Sequence, residues 1–204
     1  MLHEFINKKY LNEKEIKKIN KRFIGAEPYP HFVLDNFFIL SKILRLRKAV
    51  LREKFERIDK DLFSFSHTKD LISSEKEEIK SFYSFVSSKE FISLIEKFTS
   101  EKLIQKIDMQ AHIFERGDYL LFHDDDLEER KIAYILYLSH GFAAKDGGKL
   151  QLYDAKTPIC PVKEIIPKFN SFVCFKVSKK SLHAVEEIMN SKQRLTVGGW
   201  FYGD

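Results

Sequence analysis

The chain has 204 residues, which is enough for one globular domain with a buried core. An apolar fraction of 44% with 19 phenylalanines excludes a disordered chain, and two cysteines are too few for a disulfide framework. The net charge of +5 and the pI near 9.0 describe a moderately basic protein, which permits proximity to nucleic acid without showing it.

The N-terminal segment lacks an apolar core of signal-peptide length, and no later segment is long and apolar enough to span a bilayer. We therefore expect an intracellular protein, cytoplasmic or nuclear, with no membrane partner. In a reducing compartment Cys160 and Cys174 would be free thiols, and Cys174 in the apolar run SFVCFKV would be buried.

The first half of the chain predicts mostly helices. Residues 3–23 place apolar side chains at helical spacing among many lysines, which predicts an amphipathic helix with a basic outer face. This extension, residues 1–24, would either pack as a surface helix or serve as an RNA-binding arm. After the prolines of EPYPHF, the run FVLDNFF predicts a short strand. Three further helices are expected, at residues 41–57, 74–86 and 89–98. Ser74 and Glu77 would form a capping box for the second of these.

From Ile107 onward the chain breaks into short β-rich runs separated by turn residues. These runs are IDMQAHIFE, YLLFH, RKIAYILYLS, GKLQLYD, VKEIIP, SFVCFKV, LHAVEEI and RLTVGGWFYG. Short strands of this kind predict an antiparallel barrel or jelly roll. We expect an α+β fold with a mainly β core, a double-stranded β-helix of the jelly-roll or cupin type. Its core would lie at about residues 104–204 and its helical support at about 41–100, both within one domain over 25–204.

His123 and Asp125 stand at the end of the second β-rich run. They are two residues apart, so at the end of a sheet they can point the same way and reach one ion. A third residue, His183, opens the seventh run, and in a double-stranded β-helix these two strands lie in the same sheet and open at the same end. Two imidazoles and a carboxylate on one face of an octahedron are the ligands of non-haem Fe(II) oxygenases. The alternative is an exposed turn pair and an unrelated strand histidine.

An Fe(II) centre that activates O2 needs electrons, which 2-oxoglutarate can supply by chelating the metal and losing CO2. Arg194 begins the eighth run and offers a fork of donors for the distal carboxylate of 2-oxoglutarate. Strand alternation places Thr196 on the same face as Arg194 and makes Tyr137 a further hydrogen-bond donor to the co-substrate. Arg194 could instead form a surface ion pair with Glu186 or Glu187. Tyr137 could instead belong to the core.

Several segments, in the same order along the chain, resemble the 2-oxoglutarate/Fe(II) prolyl hydroxylases. They are HDDDLEERKIAYILYL, GGKLQLYD, IPKFNSFVCFKVSKKSLHAVEEI and RLTVGGWFYG. The resemblance is strongest to the branch that hydroxylates a proline in a small-subunit ribosomal protein, and it includes EPYPHFVLDNFF and KDLFSFSHTKDL.

This resemblance implies a peptidyl-prolyl hydroxylase that uses Fe(II), 2-oxoglutarate and O2, with ascorbate as a supporting reductant. It assigns roles to six residues: His123, Asp125 and His183 as iron ligands, Arg194 and Tyr137 as co-substrate-binding residues, and Arg130 beside the substrate proline. Arg130 could instead form an exposed ion pair with Glu128 or Glu129.

The expected partner is a protein that carries a target proline, and the resemblance extends this to a small-subunit ribosomal protein, with nucleic acid involved only indirectly. Eukaryotic members of that branch carry a second, non-catalytic β-helix domain, whereas this chain stops just past GWFYG. We therefore expect either a fragment or a single-domain relative. The sequence leaves the substrate, the choice between C3 and C4, and the oligomeric state open.

Two other functions remain compatible with the sequence. A nucleic-acid demethylase would use the same cofactors and suits the basic pI, but it needs a basic, aromatic groove, and residues 58–106 offer no such lid. A non-catalytic β-helix binding module would have lost its metal ligands, and here all three are present.

Overall fold

A computed structural model describes residues 2–127 and 129–203. The helices are α1 Leu2–Phe5, α2 Glu13–Ile24, α3 Leu40–Val50, α4 Glu77–Val86 and α5 Lys89–Thr99. The strands are β1 His31–Asp35, β2 Glu56–Lys60, β3 Phe63–His67, β4 Gln110–Phe114, β5 Tyr119–His123, β6 Arg130–Tyr137, β7 Leu150–Leu152, β8 Lys163–Ile165, β9 Ser171–Lys176, β10 His183–Val185 and β11 Arg194–Tyr202. Each of the β-rich runs predicted after Ile107 contains one of the strands β4 to β11, and the strand predicted from FVLDNFF is β1.

These strands form one antiparallel sheet in the order β1-β9-β6-β11-β4-β3-β5-β10-β7-β8, with β2 paired to β3. The central pair β6–β11 is long and stays in register from Tyr137 opposite Thr196 to Ile132 opposite Phe201. β3 joins two parts of the sheet because its C-terminal half pairs with β4 and its N-terminal half with β5. The mainly β core of the predicted fold class is confirmed.

A phenylalanine-rich core fixes the helices against one face of the sheet. Phe37 stacks on Phe172 of β9 with ring centroids 4.9 Å apart. Phe172 and Cys174 belong to this core, whereas Val173 and Phe175 belong to a second cluster on the other face. Alternation along β9 therefore gives the sheet one face covered by helices and one face that lines a cavity.

The helix predicted over residues 3–23 is wrong as one continuous element. The structure has α1, a 3₁₀ turn at Lys8–Leu11, and α2. The side chains of Asn7 and Asn12 each accept a hydrogen bond from a backbone N–H two residues on. Each asparagine thereby caps a new helical segment, which divides the amphipathic pattern.

The helix predicted from residue 41 to about Arg57 ends at Val50. Arg57 lies instead in a hairpin formed by β2 and β3, which the sequence pattern did not predict. Its guanidinium donates two hydrogen bonds of 2.7 Å to Asp118, the residue before β5. This tertiary ion pair, together with the pairing of β2 to β3, outweighs the helical propensity of the segment.

The capping box predicted at Ser74 and Glu77 is also wrong. α4 begins at Glu77, and no side chain caps it. The Ser74 hydroxyl donates to a carboxylate oxygen of Glu53 at 2.6 Å. A hydrogen bond to a distant segment has therefore replaced the local cap.

Three simpler expectations can be compared directly with the described residues. In this part of the chain, no helix combines the length and the apolar character that crossing a bilayer requires. Both cysteines are free, with Cys160 exposed and Cys174 buried as predicted. α2 buries Ile19 and Phe23 and turns its lysines outward, as its amphipathic pattern predicts.

Candidate metal centre and co-substrate pocket

His123, Asp125 and His183 meet at one end of the β5–β10 pair. The two strands are antiparallel neighbours, and His123 lies directly opposite His183 in their register. The Nε2 atom of His123 lies 3.3 Å from one oxygen of Asp125, and Nε2 of His183 lies 3.4 Å from the other. One ligand atom from each residue lies within 4.8 Å of the other two, so the group is compact enough to hold a metal ion.

The backbone orients both imidazoles. Nδ1 of His123 lies 2.9 Å from the carbonyl oxygen of Leu121, and Nδ1 of His183 lies 2.8 Å from that of Ser181. A carbonyl oxygen accepts but cannot donate, so each Nδ1 carries a proton. In the neutral imidazoles this leaves a lone pair on each Nε2, which is the atom that faces Asp125.

Asp125 presents an ionised carboxylate to the two histidines. Its backbone has a φ of 60°, in the left-handed region that aspartate tolerates better than most residues. Burial alone would raise the pKa of this carboxyl, but the interactions with His123 and His183 hold the pKa well below its usual range. Two imidazoles and one carboxylate are a donor set that fits Fe(II) and leaves coordination positions open.

A cavity of about 360 Å³ adjoins this triad. Its walls are mostly apolar and come from strands of both halves of the sheet. Polar side chains also line it: Gln110 and His112 from β4, and Arg194 and Thr196 from β11. The β2–β3 hairpin contributes Ile58, Phe63, Phe65 and His67 to the lining. The structure thus has a hairpin in the cavity wall where no lid was predicted, and the hairpin residues that line the cavity are three apolar side chains and one histidine, with no lysine or arginine among them.

Arg194 is buried in the cavity wall, with 2% of its surface exposed. Its Nε donates to the carbonyl oxygen of Gly148 at 2.9 Å, and its Cζ lies 5.2 Å from the centroid of the Tyr137 ring. The Nη2 atom of Arg194 and the hydroxyl of Tyr137 are buried without a hydrogen-bond partner among the described residues. A buried cation with an unused donor fits an anionic ligand, because buried polar groups are nearly always paired.

Arg194 and Tyr137 are both buried, which excludes a surface ion pair for Arg194. Arg194 is not a surface residue, and Glu186 lies 3.3 Å from Lys149 instead. Tyr137 is fully buried, as a core residue would be, but its hydroxyl is unpaired. Burial raises the pKa of Tyr137 although the charge of Arg194 opposes this, so the hydroxyl keeps its proton and can donate. Thr196 lies directly opposite Tyr137 in the β6–β11 register, and it lines the cavity together with Arg194, as alternation along β11 predicts.

Arg130 begins β6, and its guanidinium stacks on the indole of Trp200. Its Cζ lies 3.5 Å from the ring centroid, close enough for a cation–π interaction. Glu129, one of the two partners in the alternative ion pair, pairs with Lys106 at 2.6 Å, and Glu128 lies outside the described residues. Arg130 therefore stacks on an aromatic ring, and Glu129 pairs with another residue.

Residues 109–202 match the sequence profile of the 2OG-Fe(II) oxygenase superfamily. This chain carries a 2OG-Fe(II) oxygenase domain. The matched region runs from β4 to β11 and contains the metal-ligand triad, Arg194 and Tyr137. The cofactors of the superfamily are Fe(II), 2-oxoglutarate and O2, in agreement with those expected from the sequence.

Curated relatives of the oxygenase domain include two groups of prolyl hydroxylases. The chain is 36% identical over 185 residues to prolyl 3-hydroxylase OGFOD1 of Xenopus laevis, a match that covers 88% of this chain and 36% of that protein. It is 31% identical over 209 residues to prolyl 3,4-dihydroxylase OGFOD1 of Ostreococcus tauri, which covers 92% of this chain and 40% of that protein. The chain thus spans little more than a third of the length of these relatives.

Solved structures share the fold of this chain. A Pseudomonas putida prolyl-4-hydroxylase superposes with a TM-score of 0.72 at 15% identity and covers 93% of this chain and 99% of its own. A Trichoplax adhaerens prolyl hydroxylase, solved with a peptide from the oxygen degradation domain of hypoxia inducible factor, has a TM-score of 0.73 at 15% identity and covers 93% and 91%. These similarities concern the fold, and they confirm the predicted double-stranded β-helix.

Three side chains near the site of the oxygenase domain received no role from the sequence. His67 and His112 line the cavity, and Trp200 donates from its indole Nε1 to Oδ2 of Asp125 at 3.0 Å. Burial, aided by His67 and Arg194, lowers the pKa of His112 to about 3, so this imidazole is neutral near neutral pH. Alternation along β11, which places Trp200 on the face of Arg194, was the available signal for Trp200.

Proposed function

We propose that this chain is a 2-oxoglutarate- and Fe(II)-dependent hydroxylase that acts on C3 of a prolyl residue in a protein. The observation that carries this proposal is the buried Arg194, with an unpaired donor, in the cavity that also adjoins the His123–Asp125–His183 triad. The choice of proline and of C3 is supported by relatives named prolyl 3-hydroxylase and prolyl 3,4-dihydroxylase.

Each residue of the site would have one task. The imidazoles of His123 and His183 and the carboxylate of Asp125 would hold Fe(II). Arg194 and Tyr137 would donate hydrogen bonds to the distal carboxylate of 2-oxoglutarate, and Thr196 would assist from the same face; the unpaired Nη2 and hydroxyl support this assignment. When bound, the iron with 2-oxoglutarate and O2 supplies the oxidation, in which one oxygen atom enters the proline C–H bond and the other enters succinate as CO2 leaves.

The surrounding side chains would shield and position the reactants. Apolar side chains such as Phe114, Leu150 and Phe175 line the cavity and exclude water from it. Arg130 stacks on Trp200, which contacts the Asp125 carboxylate. This places Arg130 close to the metal triad and supports its proposed role beside the substrate proline.

We propose a small-subunit ribosomal protein as the substrate. The support is the resemblance of HDDDLEERKIAYILYL and the segments after it to the hydroxylase branch that acts on such proteins. The enzyme would meet a ribosomal protein in the cytoplasm or in the nucleus. Any contact with nucleic acid would then be indirect.

The direct test incubates the chain with Fe(II), 2-oxoglutarate, ascorbate, O2 and ribosomal proteins of the host. Mass spectrometry should find one added oxygen on a proline-containing peptide, and comparison with 3- and 4-hydroxyproline standards should identify C3. Asp125→Ala should abolish succinate formation, whereas Asp126→Ala, a matched change at an exposed neighbour, should not. Normal turnover by Asp125→Ala would refute the triad. Modification of a methylated oligonucleotide instead of the protein would refute the substrate class.

A further inference from the structure

The two carboxylate oxygens of Asp125 have different surroundings. Oδ2 accepts a hydrogen bond of 3.0 Å from the indole Nε1 of Trp200 and lies 3.4 Å from Nε2 of His183. Oδ1 lies 3.3 Å from Nε2 of His123. An indole N–H can donate but cannot bind a metal ion, so it can only orient the carboxylate.

We propose that Trp200 is a positioning residue that occupies Oδ2 of Asp125 and leaves Oδ1 as the single oxygen for the metal ion. This inference rests on the proposed iron site. Two imidazoles and one carboxylate oxygen leave three of six octahedral positions open. The co-substrate needs two of these positions and O2 needs the third, so a carboxylate that bound through both oxygens would remove one of them.

Trp200 is itself held in place. Its backbone N–H donates to a side-chain oxygen of Asp108 at 2.9 Å, and its partner across the β6–β11 pair is Ala133. The guanidinium of Arg130 lies 3.5 Å from the ring centroid and covers one face of the indole. A donor fixed by its strand and by a stacked cation holds the carboxylate more strictly than a mobile side chain or a water molecule would.

The loop around Asp125 fixes its backbone rather than its carboxylate, because the backbone N–H of Leu127 donates to the carbonyl oxygen of Asp125 at 2.7 Å. The residue lies in the loop that follows β5, at a φ of 60°. Among the described residues, the indole of Trp200 donates a hydrogen bond to its carboxylate, whereas the Nε2 atoms of His123 and His183 face the carboxylate with the lone pairs that would bind the same ion. With both histidines bound to the ion, the indole is the donor that can fix the carboxylate.

The test measures the affinity of the whole chain for Mn(II) by electron paramagnetic resonance, without 2-oxoglutarate and without turnover. Trp200→Phe keeps an aromatic ring under Arg130 but removes the N–H. Loss of a partner to a metal ligand typically weakens metal binding about 10- to 100-fold, and we expect that increase in Kd. Because phenylalanine is smaller, a second variant carries benzothienylalanine at position 200, which keeps the indole shape without the N–H, and the same increase is expected.

Tyr202→Phe is the matched control. Tyr202 lies on the same strand as Trp200, and the substitution removes its hydroxyl, which donates to Oδ2 of Asp108 at 3.1 Å. Mn(II) affinity should stay at the wild-type value. Coordination is read separately from the visible absorption of the Co(II)-loaded protein, which should weaken in both Trp200 variants as the second oxygen binds.

The outcomes separate this inference from the proposed function. If both Trp200 variants bind Mn(II) within about twofold of the wild type, below the effect expected for such a partner, Trp200 does not position the ligand. If Asp125→Ala binds Mn(II) as tightly as the wild type, both the proposed iron site and this inference are refuted. The inference is supported if both Trp200 variants have a higher Kd for Mn(II) while Tyr202→Phe keeps the wild-type Kd. The melting temperatures of the apoproteins should also be unchanged.

Discussion

Replacement of Arg194 by lysine tests the anion-binding part of the cavity. The lysine keeps one positive charge, but it removes the hydrogen bond from Nε to the carbonyl oxygen of Gly148. It also replaces a planar fork of donors with one ammonium group, which cannot hold a carboxylate through two parallel hydrogen bonds. The substitution therefore removes geometry while it conserves charge.

The size of the effect follows from the burial of Arg194. With 2% of the side chain exposed, solvent screens its contacts very little. A hydrogen bond to a charged group contributes about 1.5–3 kcal/mol, and about 1.4 kcal/mol corresponds to a tenfold change in Kd. Loss of one of the two hydrogen bonds to the carboxylate should therefore weaken 2-oxoglutarate binding by about 10- to 150-fold.

The assay is anaerobic titration calorimetry of 2-oxoglutarate into the Mn(II)-loaded protein. Mn(II) affinity should be unchanged, because Arg194 is not one of the three residues that would bind the ion. Arg116→Lys, the same exchange at an exposed arginine, should leave both affinities unaltered. Binding of 2-oxoglutarate by Arg194→Lys at the wild-type Kd would refute the assigned role.

Three further predictions concern stability and reactivity. Burial would raise the pKa of Asp118, but its bond with Arg57 holds that pKa below its usual value; Asp118→Asn should lower the free energy of unfolding by about 1–3 kcal/mol near neutral pH. In urea denaturation this deficit should shrink below about pH 4, where the wild type also loses the charge, and a deficit independent of pH would contradict the ion pair. Gly148 has a φ of 70°, and an added Cβ would lie 2.5 Å from Cδ1 of Ile188. Gly148→Ala should therefore lower the melting temperature of the protein. An unchanged melting temperature would show that the turn relaxes to accept the methyl group. A thiol reagent should modify the exposed Cys160 in the folded protein and the buried Cys174 only after unfolding. Rapid modification of both thiols in the folded protein would contradict the buried position of Cys174.

The ligand triad could be predicted from the sequence because strand periodicity carries the necessary geometry. His123 ends one strand and His183 begins another, and the fold class alone pairs such strands. Alternation likewise placed Thr196 on the face of Arg194, and both residues line the cavity. These inferences need the order of the strands and the side on which each residue lies, and the β-rich half of the chain supplies both.

The hairpin in the cavity wall could not be predicted in the same way. The pattern over residues 41–57 predicted one helix because Leu51 and Phe55, which are four residues apart, and the basic residues around them continue it beyond Val50. The strand at Glu56–Lys60 depends on the partner strand after it and on the bond between Arg57 and Asp118, which are distant in sequence. The contact between Trp200 and Asp125 was missed for the same reason, since it joins residues from separate segments across the cavity.

The direct opposition of His123 and His183 has a mechanical consequence for the barrel. β10 is only three residues long, yet β7 and β8 are joined to β5 through it. A metal ion bound by both imidazoles would cross-link β5 to β10 at this narrow point, so metal release and fraying of the strand pair become coupled equilibria. At a free metal concentration about 100 times Kd, that coupling stabilises the closed sheet by about 2.7 kcal/mol. The ion that takes part in the reaction would thus also stabilise the pairing of β5 with β10. Chelation of the ion would loosen this strand pair, with β7 and β8 beyond it, before it disturbs the phenylalanine core.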